Sequence, residues 1–225
     1  MIQENVRTLL AEVPPHVSVV AAAKARTPAE IREAVEAGIR LVGENYVQEA
    51  GPAIEAIGRQ VAWHFIGRLQ RNKIGKVAAL FDLVQTVDSI GTGRALDSAC
   101  EKLGKTLPIL VEVNSAREPG KAGALPEGVS ALVRDLAGLE HLYVKGLMTM
   151  GPLVRDPEAA RPFFRATRSL FERLRDSAPR QAELRLLSMG MSDTYRVAIE
   201  EGATLVRVGT RIFGPRPETP AKEAS

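Results

Sequence analysis

The stretch "VSVVAAAKARTPAEIREAVEAGIRLVGENY" (17–46) contains a complete strand–helix–strand unit. Small and β-branched residues run up to Lys24. A helical pattern then occupies 28–38, with apolar residues at i, i+3 and i+4, and stops at Gly38. A second apolar run follows at 40–46. Similar runs recur at 62–67, 83–88, 109–114, 144–150, 184–190 and 204–210, each separated from the next by a helical pattern. Strict alternation with near-continuous apolar strands predicts a parallel sheet covered by helices. About eight such units in about 200 residues match a (β/α)8 TIM barrel of the α/β class. A doubly wound sheet would usually have fewer strands and a glycine-rich turn after the first, whereas the first strand here runs into Lys24 and "ARTP".

The segment "MIQENVRTLLAEVPP" reads as an extra N-terminal amphipathic helix stopped by Pro14 and Pro15. It has neither a signal-peptide nor a membrane-span pattern. The barrel is expected over 1–216 and a disordered tail over 217–225. Hydrophobic residues make up 45% of the 225, enough for a substantial core, while aromatics are only 4% and the net charge is +3. Sparse aromatics and interspersed charge argue against nucleic acid as a partner. The single cysteine, Cys100, excludes an intramolecular disulfide and a multi-cysteine metal site, and it suits a reducing cytoplasm.

In such barrels active sites gather at the carboxyl ends of the strands. By strand alternation Val20, Ala22 and Lys24 share one face, with small neighbours around the lysine. Lys24 is then either a solvated strand-end lysine or an amine that forms a Schiff base with an aldehyde. Around "LSMGMSDTYRVAIEEG", Ser188, Gly190 and Ser192 surround a strand-to-helix junction, with Ser192 the expected N-cap. Gly209 and Thr210 form a second junction after the last strand. Two adjacent junctions of this chemistry fit a phosphate site as well as they fit ordinary capping. Arg207 sits among apolar residues and needs an acceptor, from a ligand or by snorkelling. His64 is a core histidine or a catalyst. Neither "GxSxG" nor a Walker motif occurs.

Taken together, Lys24, "GENYVQE" (43–49), "WHFIGRLQRNK" (63–73), "KAG" (121–123), "GLMTM" (146–150), "SMGMS" (188–192) and "VRVGTRIFG" (206–214) closely resemble the pyridoxal phosphate homeostasis proteins. That family has an alanine-racemase-type barrel binding pyridoxal 5′-phosphate (PLP). The resemblance implies that Lys24 forms the internal aldimine. It further implies that Ser188, Gly190, Ser192, Gly209 and Thr210 hold the phosphate, that Arg207 faces the pyridine nitrogen, and that Asn45, His64 and Met148 line the pocket. Two departures stand out: alanines (Ala23, Ala25) flank the lysine where the family usually has serine and threonine or a basic residue, and Thr194 replaces a frequent aspartate.

A carboxylate partner would keep the ring nitrogen protonated, while an arginine disfavours that proton. The resembling racemases also use a tyrosine base from a second domain, which is not expected in this chain. The expected function is therefore a PLP carrier or buffer in vitamin B6 and amino-acid homeostasis, with little or no catalysis. The alternatives are a PLP-dependent racemase or decarboxylase, with His64 or a partner's residue as base, and a cofactor-free Schiff-base aldolase. Expected partners are PLP and PLP-requiring apo-enzymes, without membrane, the chain being a monomer or weak homodimer.

Overall fold

A computed structural model describes residues 1–177 and 182–215. The tail expected at 217–225 lies outside the described residues. Eight parallel strands follow one another in chain order: β1 (Ser18–Ala22), β2 (Leu41–Glu44), β3 (Ala62–Phe65), β4 (Leu83–Val87), β5 (Leu107–Glu112), β6 (Leu142–Met148), β7 (Ala182–Ser188) and β8 (Leu205–Val208). They form a closed barrel, with β8 pairing back on β1 through Ser18↔Leu205 and Val20↔Arg207. The (β/α)8 expectation is met.

The helices are α1 (Ile2–Glu12), α2 (Pro28–Glu36), α3 (Val47–Ile57), α4 (Ile74–Leu80), α5 (Ile90–Leu103), α6 (Val129–Ala137), α7 (Arg161–Ser177), α8 (Tyr195–Glu200) and α9 (Thr210–Phe213). Among the described residues no helix is long and apolar enough to cross a membrane.

Alternation along each strand divides the interior into two cores. Outward residues such as Ala21, Val42, Trp63, Val84, Val111 and Val206 join the helices in one large cluster. Inside the barrel, Leu83, Leu110 and Met148 with Leu186 make a small apolar layer. Toward the strands' carboxyl ends the inward positions include the polar His64, Gln85, Glu112, Ser188 and Arg207.

The first βα junction is well determined. Thr27 caps α2 by a reciprocal capping box with Glu30, and Pro28 occupies the first helical position. The connection between β1 and α2 is only five residues, 23–27, and puts Ala25 in the left-handed region at φ 59°. Such a conformation costs a non-glycine residue roughly 1 kcal/mol. It is held by Ala25 N–H donating to Glu49 Oε2 (3.0 Å) and Arg26 N–H donating to Ala23 O (2.9 Å). The extra helix α1 packs between α2 and α9. Asn5 donates to Ile212 O (3.0 Å), and Glu12 accepts from Tyr195 Oη (2.5 Å) and from Arg196 (2.9 Å) and Arg211 (3.1 Å). α1 therefore fixes α8 and α9, the helices that follow β7 and β8.

Candidate functional site

A cleft of about 400 Å³ opens at the carboxyl end of the barrel, and Lys24, Asn45, Ser192, Arg207, Gly209 and Thr210 all line it. Lys24 lies two residues beyond the end of β1 but keeps the strand's inward direction. Its Nζ stands 5.3 Å from the centre of the exposed Tyr46 ring. Asn45 is positioned by a close crossing with the loop after β3. A Cβ at Gly67 would lie 2.1 Å from Asn45 O, so only glycine lets these backbones meet.

The two expected phosphate junctions are joined directly to each other. Gly209 N–H donates to Ser192 Oγ at 3.2 Å. Ser192 is therefore not the N-cap of α8. That helix begins after Thr194, whose hydroxyl accepts from Met191 N–H at 3.1 Å. The Thr194 departure thus has a structural role in closing the turn. Gly190 is buried with φ +87°, and a Cβ there would lie 2.6 Å from Ala198 Cβ, so it allows α8 to approach the strand. In α9 the Ile212 and Phe213 amides bond back to Gly209 O, which leaves the first-turn amides of Thr210 and Arg211 without intrahelical acceptors.

Four of the expected residues do not reach the cleft wall. Ser188 is fully buried, His64 is 5% exposed, Met148 belongs to the apolar layer, and Gly190 packs against α8. Ser188, His64 and Met148 face inward but lie deeper than the cleft wall, whereas Gly190 is turned toward α8. Ser188 and His64 instead belong to a buried chain of hydrogen bonds that ends at the cleft. Arg207 Nη1 donates to Ser188 Oγ (2.5 Å), Ser188 Oγ donates to Gln85 Oε1 (2.7 Å), and Gln85 Nε2 donates to His64 Nδ1 (3.0 Å). Arg207 Nη2 also donates to Thr149 O (2.9 Å).

All donors point from arginine toward histidine, which requires His64 neutral with Nδ1 as acceptor. Burial favours that state, holding the His64 pKa down to about 4 against a weaker pull upward from Asp82. Burial also lowers the Arg207 pKa to about 10, opposed by Glu112, so the guanidinium stays charged near neutrality. Arg207 makes no ion pair among the described residues.

Two participants were not singled out by the sequence. Gln85 carried a signal, being an uncharged polar residue inside the apolar run "LVQTVD". Arg26 also lines the cleft, pinned by Glu30 (3.2 Å) and by donation to Gly214 O (2.6 Å) and Pro215 O (2.8 Å). It gives the Gly209–Thr210 end a second positive charge.

The sequence and the fold have close counterparts. The family model for the alanine racemase N-terminal domain matches residues 1–217. A pyridoxal phosphate homeostasis protein of Aquifex aeolicus is 39% identical over 198 residues, 87% of this chain and 85% of that protein. PipY of Synechococcus elongatus is 36% identical, and the match covers 95% of this chain and 100% of PipY. Its TM-score is 0.90 for a structure without PLP and 0.88 for one with PLP bound. An alanine racemase of Clostridium difficile shares the fold at 14% identity and TM-score 0.77, matching 96% of this chain to 59% of the racemase. With the family model, the barrel and these relatives in agreement, the chain belongs to the alanine racemase N-terminal domain family and, within it, to the pyridoxal phosphate homeostasis proteins.

Proposed function

We propose that this chain binds PLP reversibly through Lys24 and serves vitamin B6 and amino-acid homeostasis as a carrier or buffer, with little or no turnover. The observation that carries the reading is the convergence of Lys24, Ser192, Arg207 and Gly209 on one cleft. The residues fit the cofactor. About 400 Å³ is within the range of small-molecule sites. One end of the cleft offers hydroxyl and amide donors with Arg26 nearby, and the inner wall offers a fixed guanidinium.

When bound, the cofactor supplies an aldehyde that condenses with a primary amine, releasing water, and an electron-withdrawing ring. Lys24 Nζ is the amine, and Asn45 and Ile66 border the ring's space. Ser192, Gly209 and Thr210 with the first-turn amides of α9 hold the phosphate, which is dianionic and suits Arg26. Arg207 faces the ring nitrogen. Its charge disfavours a proton there, and the chain through Ser188 and Gln85 prevents it from swinging away. Ser188, Gln85 and His64 are positioning residues in this scheme.

The burial of His64, and the use of its Nδ1 by Gln85, disfavour it as the base of a racemase or decarboxylase. PLP-requiring apo-enzymes are the recipients that the carrier reading implies. The test is borohydride reduction of the loaded protein followed by peptide mass mapping. The expected adduct is a reduced pyridoxyl phosphate on Lys24, and loaded protein should be yellow and lose its colour in Lys24→Ala. An adduct on another residue overturns the site. D-amino acid formation well above that of free cofactor overturns the carrier role.

A further inference from the structure

Beside the Lys24 cleft, and sharing Met150 and Met191 with it, lies a second chamber of about 310 Å³ over the ends of β5 and β6. Its floor carries Glu112, the last residue of β5. The pattern "LVEVN" turns Glu112 into the barrel while Val111 and Val113 pack outward. Glu112 is 6% exposed, and its carboxyl group makes no hydrogen bond or ion pair among the described residues.

The chamber's other buried polar side chains are satisfied. Asn114 donates to Glu118 O (2.9 Å) and accepts from Glu118 N–H (3.1 Å), while Thr149 donates to Val113 O (2.9 Å). Around them the walls are small or apolar, including Ala116, Ala122 and Met150. A buried carboxyl without a partner is costly, and such a group aimed into a cavity is half of an interaction.

We propose that Glu112 is the receptor for a primary alkylammonium group, bound in this chamber with its carbon chain against the apolar walls. An ammonium brings three donors and a positive charge to the one group that lacks both. A zwitterionic amino acid fits poorly. Lys121, the cation lining the chamber, is already paired with Glu118 at 2.7 Å, so an α-carboxylate would face Glu112 without a free counter-charge. The ammonium belongs either to a free amine or to a lysine side chain on a polypeptide, for which Leu153, 92% exposed at the mouth, offers apolar contact. The site goes beyond the cofactor reading and does not depend on Lys24 being loaded.

Binding should strengthen as Glu112 ionises. Burial and the nearby Asp88 push its pKa up to about 7, against Arg207 and Arg68. The charged groups facing it are Asp88 beyond β4, Arg68 beyond β3, Arg207 on β8 and the Glu118–Lys121 pair beyond β5, while Thr149 and Met150, just beyond β6, are uncharged.

The experiment is calorimetric titration of the full-length protein, both cofactor-free and borohydride-reduced so that amines cannot exchange at Lys24. Three probes are used: n-butylamine, n-butanol and a short end-blocked peptide with one lysine. Saturable binding of n-butylamine is expected, about tenfold tighter at pH 8 than at pH 6 and more than about tenfold weaker in Glu112→Gln. Ala122→Leu, which fills the chamber and keeps the charge, should abolish it. Peptide binding tighter than n-butylamine supports a lysine side chain as the ligand, and the reverse supports free amines. Equal affinity for n-butanol, unchanged affinity in Glu112→Gln, or unchanged binding in Ala122→Leu overturns the proposal.

Discussion

Replacing Glu44 by glutamine should stabilise the protein, and the gain should grow with pH. Glu44 closes β2 on its outer face, is fully buried, and has no partner for either carboxylate oxygen. Burial pushes its pKa from the ordinary 4.5 to about 8. The Glu49 charge adds to this, and the Asn45 N–H pulls back without reaching hydrogen-bond geometry. In the unfolded chain the carboxyl loses its proton near 4.5, while the native protein keeps it to about 8. Between these values the native state binds more protons, so stability falls as pH rises, by about 1.4 kcal/mol per pH unit, and levels off above the folded value. The whole window corresponds to roughly 5 kcal/mol as a ceiling, a large share of a domain's typical stability.

The assay is urea unfolding from pH 5 to 9, followed by fluorescence of Trp63, the single and fully buried tryptophan. Subtracting wild type from Glu44→Gln cancels Glu112, whose raised pKa gives a slope of the same sign. The difference should climb by several kcal/mol between pH 5 and 8. Parallel stability curves would refute the reasoning. Ala23→Ser is the complementary variant. Ala22 pairs with Gly43, so Ala23 stands next to Glu44 on the same outer face, and a hydroxyl there supplies the missing donor. It should recover stability at pH 8 with Glu44 retained.

Two further predictions concern the buried chain. Gln85→Leu leaves the Ser188 hydroxyl without an acceptor and His64 Nδ1 without a donor, and should cost about 2–6 kcal/mol at about 1–3 for each stranded group. A loss below about 1 kcal/mol by urea unfolding would mean that the chain adds little. His64, with its pKa held near 4, should show no ring titration by NMR as pH falls from 8 to 5. Because the unfolded histidine takes up its proton nearer 6.5, stability should drop as pH falls between these values, and an NMR midpoint near 6.5 would contradict the burial argument.

The barrel was legible because its evidence is local: each strand and helix announces itself by period, and alternation fixes which residues turn inward. Lys24, Asn45 and Arg207 do line one cleft. Parity was not enough for Ser188, His64 and Met148, which face inward at a depth no local pattern encodes. Strands in a closed barrel are tilted and staggered, so equal distances from strand ends fall at different heights. Ser188 lies inside because β7 runs through residue 188 before turning. Ser192 failed for a related reason. Its sequence position suits a cap, but its hydroxyl is taken by Gly209 on the neighbouring strand's loop. Gln85 and Ser188 are 103 residues apart, so their bond could not be read from spacing.

The same depth explains why Arg207 and not a shorter side chain marks the site. Its backbone lies in β8, paired with Val20 well below the rim, and only a long side chain reaches the cleft from there. Buried guanidinium groups are costly without an anion, yet Arg207 has only neutral acceptors. Glu112, the acid acting on it, is itself pushed toward its neutral form by burial and Asp88. Arg207 therefore carries a charge that no hydrogen-bonded anion among the described residues cancels. A rigid chain through Ser188, Gln85 and His64 keeps that charge in place, since turning any member would strand a buried donor or acceptor. Such an arrangement favours holding a negatively charged ligand in one orientation. Within this hydrogen-bonded chain no member readily gains and loses a proton near neutrality, because Arg207 holds its proton and His64 lies behind Gln85. Retention and turnover make opposite demands on these residues, and the carrier role proposed above draws on their fixed geometry for retention.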